Sequence, residues 1–300
     1  MKKIWLWVLA FFITAFVLVF QRLTGPTYPI KGKAELEKQE ISYTLERSHV
    51  TTEDYVIQIE APENISGEVV YKRYKTGDPW TRVPLHRKNK TLSGRLPAQP
   101  PAGKLMYKVY LETGDTRESL SGDDPVIIRF KGEVPTLIVL LHVLTIFAAF
   151  LLSTRAGLES LKPQGRPRKL AYWTVAFLIL GGFILGPVMQ KYAFGAFWTG
   201  FPLGTDLTDT KTLIGLAGWA AALVKGKKEK SARRWSLGAA VLLLIVFMIP
   251  HSLLGSELDY SELDQGRMEN REWKMENGKW QMVNGKWIIG NREWKIDNGK

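Results

Sequence analysis

Pro135–Ser153 reads PTLIVLLHVLTIFAAFLLS, nineteen residues with no Asp, Glu, Lys or Arg and a single histidine, His142. A helix crossing the hydrocarbon core of a bilayer needs about twenty such residues. Proline suits the first helical turn, where its missing N–H removes no hydrogen bond. This stretch makes the chain a membrane protein in expectation, and the rest of the sequence is organised around it.

Four more apolar blocks flank it. Ile4–Phe20 is IWLWVLAFFITAFVLVF, preceded by Lys2 and Lys3. It exceeds the about 7–15 residues of a signal-peptide core, and no A-x-A site follows it, so it reads as a retained anchor. Leu170–Met189 is long enough to span. Thr212–Val224 has thirteen residues and Ser236–Pro250 fifteen. Both are short, and they reach across by recruiting polar flanks, by thinning the bilayer or by leaning on longer neighbours, while the thirteen-residue block also reads as a helix buried in protein that does not span. The loops at 154–169 and 225–234 together carry +9 of the chain's net +12. Short basic loops stay in the cytoplasm. With Lys2 and Lys3 also inside, five spans put residues 21–134, 190–211 and 255–300 outside. The basic balance is therefore topological and does not point to nucleic acid. The chain has no cysteine. That excludes disulfides, thiolate metal sites, a cysteine nucleophile and covalently attached haem.

Between the first two spans, short apolar–polar alternations are broken by turn clusters such as Gln99-Pro-Pro-Ala-Gly and Ser121-Gly-Asp-Asp-Pro. They predict seven strands, at 41–46, 55–60, 68–74, 82–85, 91–96, 105–111 and 126–130. Seven short strands at such spacing suggest an antiparallel sandwich. LPAQPPAGKLMYKVYLE (residues 96–112) resembles the late-strand region of fibronectin type III and immunoglobulin-like domains, without the cysteine pair of antibody domains.

The candidate chemistry lies towards the outer face. His142 sits seven residues past Pro135, about 10 Å deep at 1.5 Å per residue. His251 closes the last span on the same side. Ionisable groups in a membrane are functional hypotheses by default. Three readings stay open. His142 and His251 hold a b-type haem between helices. Alternatively they join Asp206, Asp209, Glu257 or Asp259 around a divalent metal, since mixed nitrogen and oxygen ligation suits zinc, iron or manganese. In the third, all are structural, with Asp206 and Asp209 forming the D-x-x-D version of a capping box at a helix start. No H-E-x-x-H, P-loop, G-x-S-x-G or dinucleotide motif is present, so hydrolytic and nucleotide chemistry have no positive support. The aromatic and glycine-rich loop KYAFGAFWTGFPLGTDLTDTKTL (residues 191–213) is the most unusual stretch, and reads as a loop in the headgroup layer or a partly re-entrant segment.

Four motifs carry a resemblance: QRLTGPTYP after the first span, YKTGDPW, QKYAFGAFWTGFPLGTDLTDTKTL and IPHSLLGSELDY. Together, over about residues 1–260, they resemble an uncharacterised family of bacterial multi-pass membrane proteins. The resemblance implies a bacterial inner-membrane setting and five spans, and transfers no activity, cofactor or site residue.

From Asn270 the chain repeats. Trp273, Trp280, Trp287 and Trp294 are spaced by seven, with Asn-Gly at 277, 284 and 298 and Asn291-Arg in the remaining slot. Asn-Gly between five-residue runs is a strong hairpin signal. It predicts a meander with strands at 272–276, 279–283, 286–290 and 293–297, and the four tryptophans on one interaction face. This array resembles the NGK-rich, MORN-like repeats of bacterial surface proteins.

The expected plan is thus a membrane α-helical protein of about five spans, with an all-β immunoglobulin/fibronectin-III-like sandwich and a C-terminal β-meander repeat tail. Its parts are an anchor (1–26), an extracytoplasmic sandwich (27–133), a four-helix membrane domain (134–256), an acidic linker (257–269) and the repeat tail (270–300). The expected function is non-enzymatic: an inner-membrane protein presenting extracytoplasmic β modules to a protein or glycan partner. The alternative is a haem- or metal-binding protein for electron transfer or metal handling, built on His142 and His251.

Overall fold

The computed structural model describes residues 3–253 and 255–264, together with strands Trp273–Glu276, Lys279–Met282, Lys286–Ile289 and Arg292–Lys295. The chain divides into two compact units, residues 1–28 with 134–256, and residues 29–133 with 257–300.

The first unit is helical. Its helices are α1 (Lys3–Leu23), α2 (Thr136–Ser160), α3 (Arg168–Phe194), α4 (Leu207–Lys225) and α5 (Glu229–Met248). Four of them, all but α4, are long and apolar enough to cross a membrane. The thirteen-residue apolar block at 212–224 grows into the nineteen-residue α4 by taking Leu207–Lys211 as its first turns and Lys225 at its end. Many large apolar side chains, among them Trp5, Phe12, Leu137, Leu144 and Ile245, are exposed on these helices. Lipid solvates such a surface as well as protein does, so helix packing relies on small residues and polar bonds. Both are present. A Cβ on Gly157 of α2 would lie 2.8 Å from Ala240 of α5. Phe150 and Phe247 meet edge to face with centroids 4.4 Å apart. The fully buried Trp219 of α4 donates its indole N–H to Ser153 Oγ of α2 at 3.2 Å, and Thr14 of α1 bonds Thr154 of α2 at 3.3 Å.

Inside α3, Ile179–Leu185 takes π-helical geometry, with the Gly186 N–H reaching back to the Gly181 carbonyl. Pro187 is the local cause. Its ring removes one N–H and crowds the carbonyl four residues earlier, and a wider turn relieves that conflict. Gly182 also allows close approach, since a Cβ there would meet Thr212 of α4 at 2.4 Å.

The second unit contains the β structure. β1 (Ile30–Leu36) and β2 (Gln39–Leu45) form a hairpin closed by Glu37 and Lys38, both at positive φ. A sheet ordered β3-β11-β9-β5-β6 comprises Ser48–Val50, Val126–Lys131, Lys104–Thr113, Ser66–Arg73 and Thr81–Pro84, with β10 (Thr116–Ser119) also paired to β9. A second sheet is ordered β4-β8-β7, from Tyr55–Glu60, Thr91–Leu96 and His86–Lys88. Alternate residues of both sheets meet in one core, including Ile57 and Ile59 of β4, Leu92 and Leu96 of β8, Tyr107 and Val109 of β9, and Ile128 and Phe130 of β11. Tyr107 donates its hydroxyl proton to the Glu46 carbonyl at 2.8 Å. All seven expected strands are present. β1, β3, β7 and β10 are additional.

The segment at 257–264, expected as a solvated acidic linker, is anchored within this unit; residues 265–269 of that linker lie outside the described residues. Tyr260 is buried, and its hydroxyl bonds Gln99 Oε1 at 3.0 Å and both backbone groups of Lys104 at 2.9 Å. Arg73 is held between Asp78 and Asp264 at 2.6 and 2.7 Å, and its guanidinium lies 5.0 Å from the Tyr260 ring centroid. Glu257 pairs with Lys75 at 3.0 Å and Lys104 at 3.1 Å. Two of the segment's acids, Glu257 and Asp264, are drawn onto this unit by three basic side chains, of β5, its following turn and β9.

In the tail, the described strands β12 (Trp273–Glu276), β13 (Lys279–Met282), β14 (Lys286–Ile289) and β15 (Arg292–Lys295) pair as two two-stranded ladders, where the sequence suggests one meander. Trp273 is opposite Met282, and Trp287 is opposite Trp294. The Asn-Gly turns at Asn277, Asn284 and Asn298, and Asn291, lie outside the described residues.

Two outcomes follow. Ile128→Ala should destabilise the β unit by about 2–5 kcal/mol, the range for truncating a buried isoleucine, measured as the shift of its unfolding transition in the full chain. The anchored segment should also loosen in acid. The Arg73 hydrogen bond holds Asp78 below the ordinary carboxylate range. Burial pushes Glu257 up, but bonds and charge from Lys75 and Lys104 carry it below that range. Folded-state values that are depressed give stability that is complete above the ordinary carboxylate pKa and is lost as pH falls through the depressed values. Amide-exchange protection at Leu258, whose N–H bonds the Ala102 carbonyl at 3.2 Å, should therefore hold at neutral pH and fall below about pH 4.

Candidate functional site

A cavity of about 350 Å³ lies inside the helical unit. Four of the expected site residues line it together: His142 from α2, Asp206 and Asp209 from the start of α4, and His251 just past α5. The other two do not join them. Glu257 belongs to the β unit, paired with Lys75 and Lys104, and Asp259 accepts bonds there from the N–H and hydroxyl of Ser261 at 2.9 and 2.6 Å. Among the described residues no three histidine, aspartate or glutamate side chains gather in an arrangement able to hold a metal.

Each wall follows from local sequence. Nδ1 of His142 lies 3.0 Å from the Gly181 carbonyl. A carbonyl only accepts, so Nδ1 carries the proton and Nε2 is left as the acceptor of the neutral ring. That carbonyl belongs to the π-helical turn, a feature that often marks functional sites. The apolar wall is made by Val143, Ile146, Met189, Ala193, Phe194 and Phe247.

The polar rim is built by the loop that leaves α3. Gly195 ends that helix at φ 81°, its N–H bonding the Lys191 carbonyl at 2.9 Å. The chain then turns back on the first turn of α4. Asp206 is the N-cap: Oδ1 accepts the Thr208 N–H at 2.7 Å, and Oδ2 accepts the N–H and hydroxyl of Ser256 at 3.0 and 3.2 Å. This is half of the expected capping box. The other half is replaced, because Asp209 Oδ2 takes the N–H groups of Thr199 and Gly200 at 2.8 and 3.0 Å instead of reaching back to the cap. A Cβ on Gly200 would lie 2.4 Å from that of Asp209, so glycine is required for this approach. Gln190 donates to Thr199 Oγ1, and Trp198 stacks on Phe183 of the π turn with centroids 5.4 Å apart. The unusual loop is thus a frame for the cavity mouth.

Gln190, Thr199, Thr208 and Ser256 were not singled out in the sequence. Only the density of Gly, Thr and Asp in the 191–213 stretch signalled a loop bonded to itself. The four tryptophans of the tail fall on β12–β15.

Comparison with known proteins finds no matching family, no matching curated relative and no matching solved structure.

The rim carries a measurable ordering. Asp206→Asn keeps the cap on Thr208 but sets an amide NH2 against the Ser256 N–H that Oδ2 accepts, and should cost about 1–3 kcal/mol, while Asp206→Ala loses the cap as well, about 0.5–2 kcal/mol more. Asp209→Ala leaves two backbone N–H groups without an acceptor, at about 1–3 kcal/mol each when buried. Thermal unfolding in lipid nanodiscs should rank the variants in that order.

Proposed function

We propose that this chain is a non-enzymatic protein of the bacterial inner membrane that presents extracytoplasmic β modules for interaction or assembly. One observation carries the reading: a β unit with its own closed hydrophobic core shares a chain with helices whose outward side chains are apolar. The strand order supports an immunoglobulin-like sandwich. In such domains one sheet runs through strands G, F and C, the other through B, E and D. Here β11, β9 and β5 stand for G, F and C, with β3 parallel to β11, while β4, β8 and β7 stand for B, E and D. Such modules bind or space other molecules, and the tryptophans of the tail would add a second contact surface, to a protein or a glycan.

Orientation rests on the basic loops at 154–169 and 225–234. A chain without cysteine makes the test clean. A cysteine placed at exposed Asp115 should react with a membrane-impermeant maleimide in intact spheroplasts, and one at exposed Lys228 only after permeabilisation. The opposite pattern would sink the topology and with it the presenting role.

A second reading, haem or metal binding, has in its favour that His142 and His251 line one cavity, and that His142 is oriented through a carbonyl in the manner of ligating histidines. It requires a Soret band or near-stoichiometric metal in the purified protein, lost in His142→Ala and His251→Ala. A colourless, metal-free preparation from native membranes rejects it.

A further inference from the structure

We propose that the cavity of the helical unit binds an uncharged amphiphile whose head carries a hydroxyl group, the hydroxyl donating to Nε2 of His142 and the apolar body lying along Val143, Ile146, Met189 and Phe247. The proposal stands apart from what the β unit binds.

The argument begins with the imidazole. Its Nδ1 proton is held by the Gly181 carbonyl, so the neutral ring has one remaining function, acceptance at Nε2. Cε1, bonded to Nε2, would lie 3.7 Å from a Cβ at Gly186, which also lines the cavity. With Nδ1 engaged by the Gly181 carbonyl, Nε2 is the one ring nitrogen that His142 has left to offer the cavity it lines. An acceptor in an apolar setting favours a ligand that brings a donor.

Charge narrows the ligand further. No lysine or arginine is among the described residues that line the cavity, while Asp206 and Asp209 are. An anionic head would enter a rim that stays net negative, because Lys211 beside Asp206 offsets only one of the two carboxylates. An ammonium group would have to compete with the N–H groups of Thr199, Gly200, Thr208 and Ser256 for those carboxylates, and with Lys211 beside Asp206. A neutral head satisfies the site without disturbing those bonds. The volume, about 350 Å³, is at the lower end of the about 300–1,000 Å³ of small-molecule sites. It suits a hydroxyl head with part of a chain. The helices around it present apolar side chains outwards, as a lipid-solvated unit does, so a bilayer is the natural source of such a molecule.

The test uses the full chain in phosphatidylcholine nanodiscs and four photoactivatable probes of equal chain length: a diazirine-bearing hexadecanol, its methyl ether, the corresponding acid and the corresponding amine. The alcohol should label peptides containing residues 142–146 and 182–194, in competition with unlabelled hexadecanol. The ether lacks only the donor, and its labelling should fall about tenfold, the equivalent of one hydrogen bond to an acceptor in an apolar setting. The acid and the amine should fall at least as far. In His142→Phe the alcohol should lose its advantage over the ether. Comparing probes on the unaltered chain keeps the test independent of how that variant folds. Equal labelling by alcohol and ether, preferential labelling by a charged probe, labelling only elsewhere on the helices, or a Soret band or stoichiometric metal in the same preparation would each overturn the proposal.

Discussion

In an apolar setting a backbone carbonyl or N–H that lacks a partner is expensive, because no water replaces it. The helical unit is arranged around that constraint. Gln21 of α1 donates to the carbonyls of Phe247 and Ile249 at 2.6 and 3.2 Å, and Lys211 of α4 adds a bond to Ile249 at 2.9 Å. These bonds close the end of α5 and pull three helices together. The carbonyl of Gly181, in the turn that Pro187 deforms, takes both the Gly186 N–H and the His142 ring. Asp206 and Asp209 do the same work from the opposite sense, accepting N–H groups that a helix start and a tight loop leave over. The ionisable residues of this unit act first as partners for its own backbone, and the cavity is what their placement leaves between them.

The helices were legible because their signal is additive over many residues. About twenty apolar side chains outweigh any local irregularity, so α1, α2 and α3 could be read directly, whereas α5, read from fifteen residues at 236–250, begins seven residues earlier in the polar stretch Glu229–Trp235. α4 was partly hidden because its first turns, Leu207–Lys211, are polar; they belong to the helix through the Asp206 cap and not through hydropathy. The seven strands were legible by alternation. The four that were missed had weak patterns: β3 and β7 have three residues each, β10 has four, and β1, IKGKAEL, carries lysines on its exposed positions. The hairpin before them turns on Glu37 and Lys38, residues that rarely take positive φ, so no turn signal marked it.

The candidate site divides along the same line. His142, His251, Asp206 and Asp209 were recognisable as ionisable groups near an apolar boundary, and they do share a cavity. Their separate roles were not recognisable, since they depend on partners distant in sequence. Asp209 looks like the second half of a capping box until Thr199 and Gly200 are placed beside it. Glu257 and Asp259 had the right chemistry for a metal but lie in another unit, bonded to Lys75, Lys104 and Ser261. Composition marked residues 257–264 as a linker because four acids in eight residues suggest solvent. It carried no information about Arg73, nearly two hundred positions earlier, which waits for Asp264.

That clasp sets a leash. Asp264 is fixed on Arg73, and the first strand of the tail begins at Trp273, nine residues on. A fully extended chain covers at most about 3.3–3.6 Å per residue, so β12 starts within roughly 30 Å of the β unit's surface however the intervening residues run. If the tail grasps a molecule as proposed, this tether would hold it at a high effective concentration near β5 and β9. Two weak contacts, one on each module, would act as one strong one, and cutting the clasp would lengthen the tether without touching either surface.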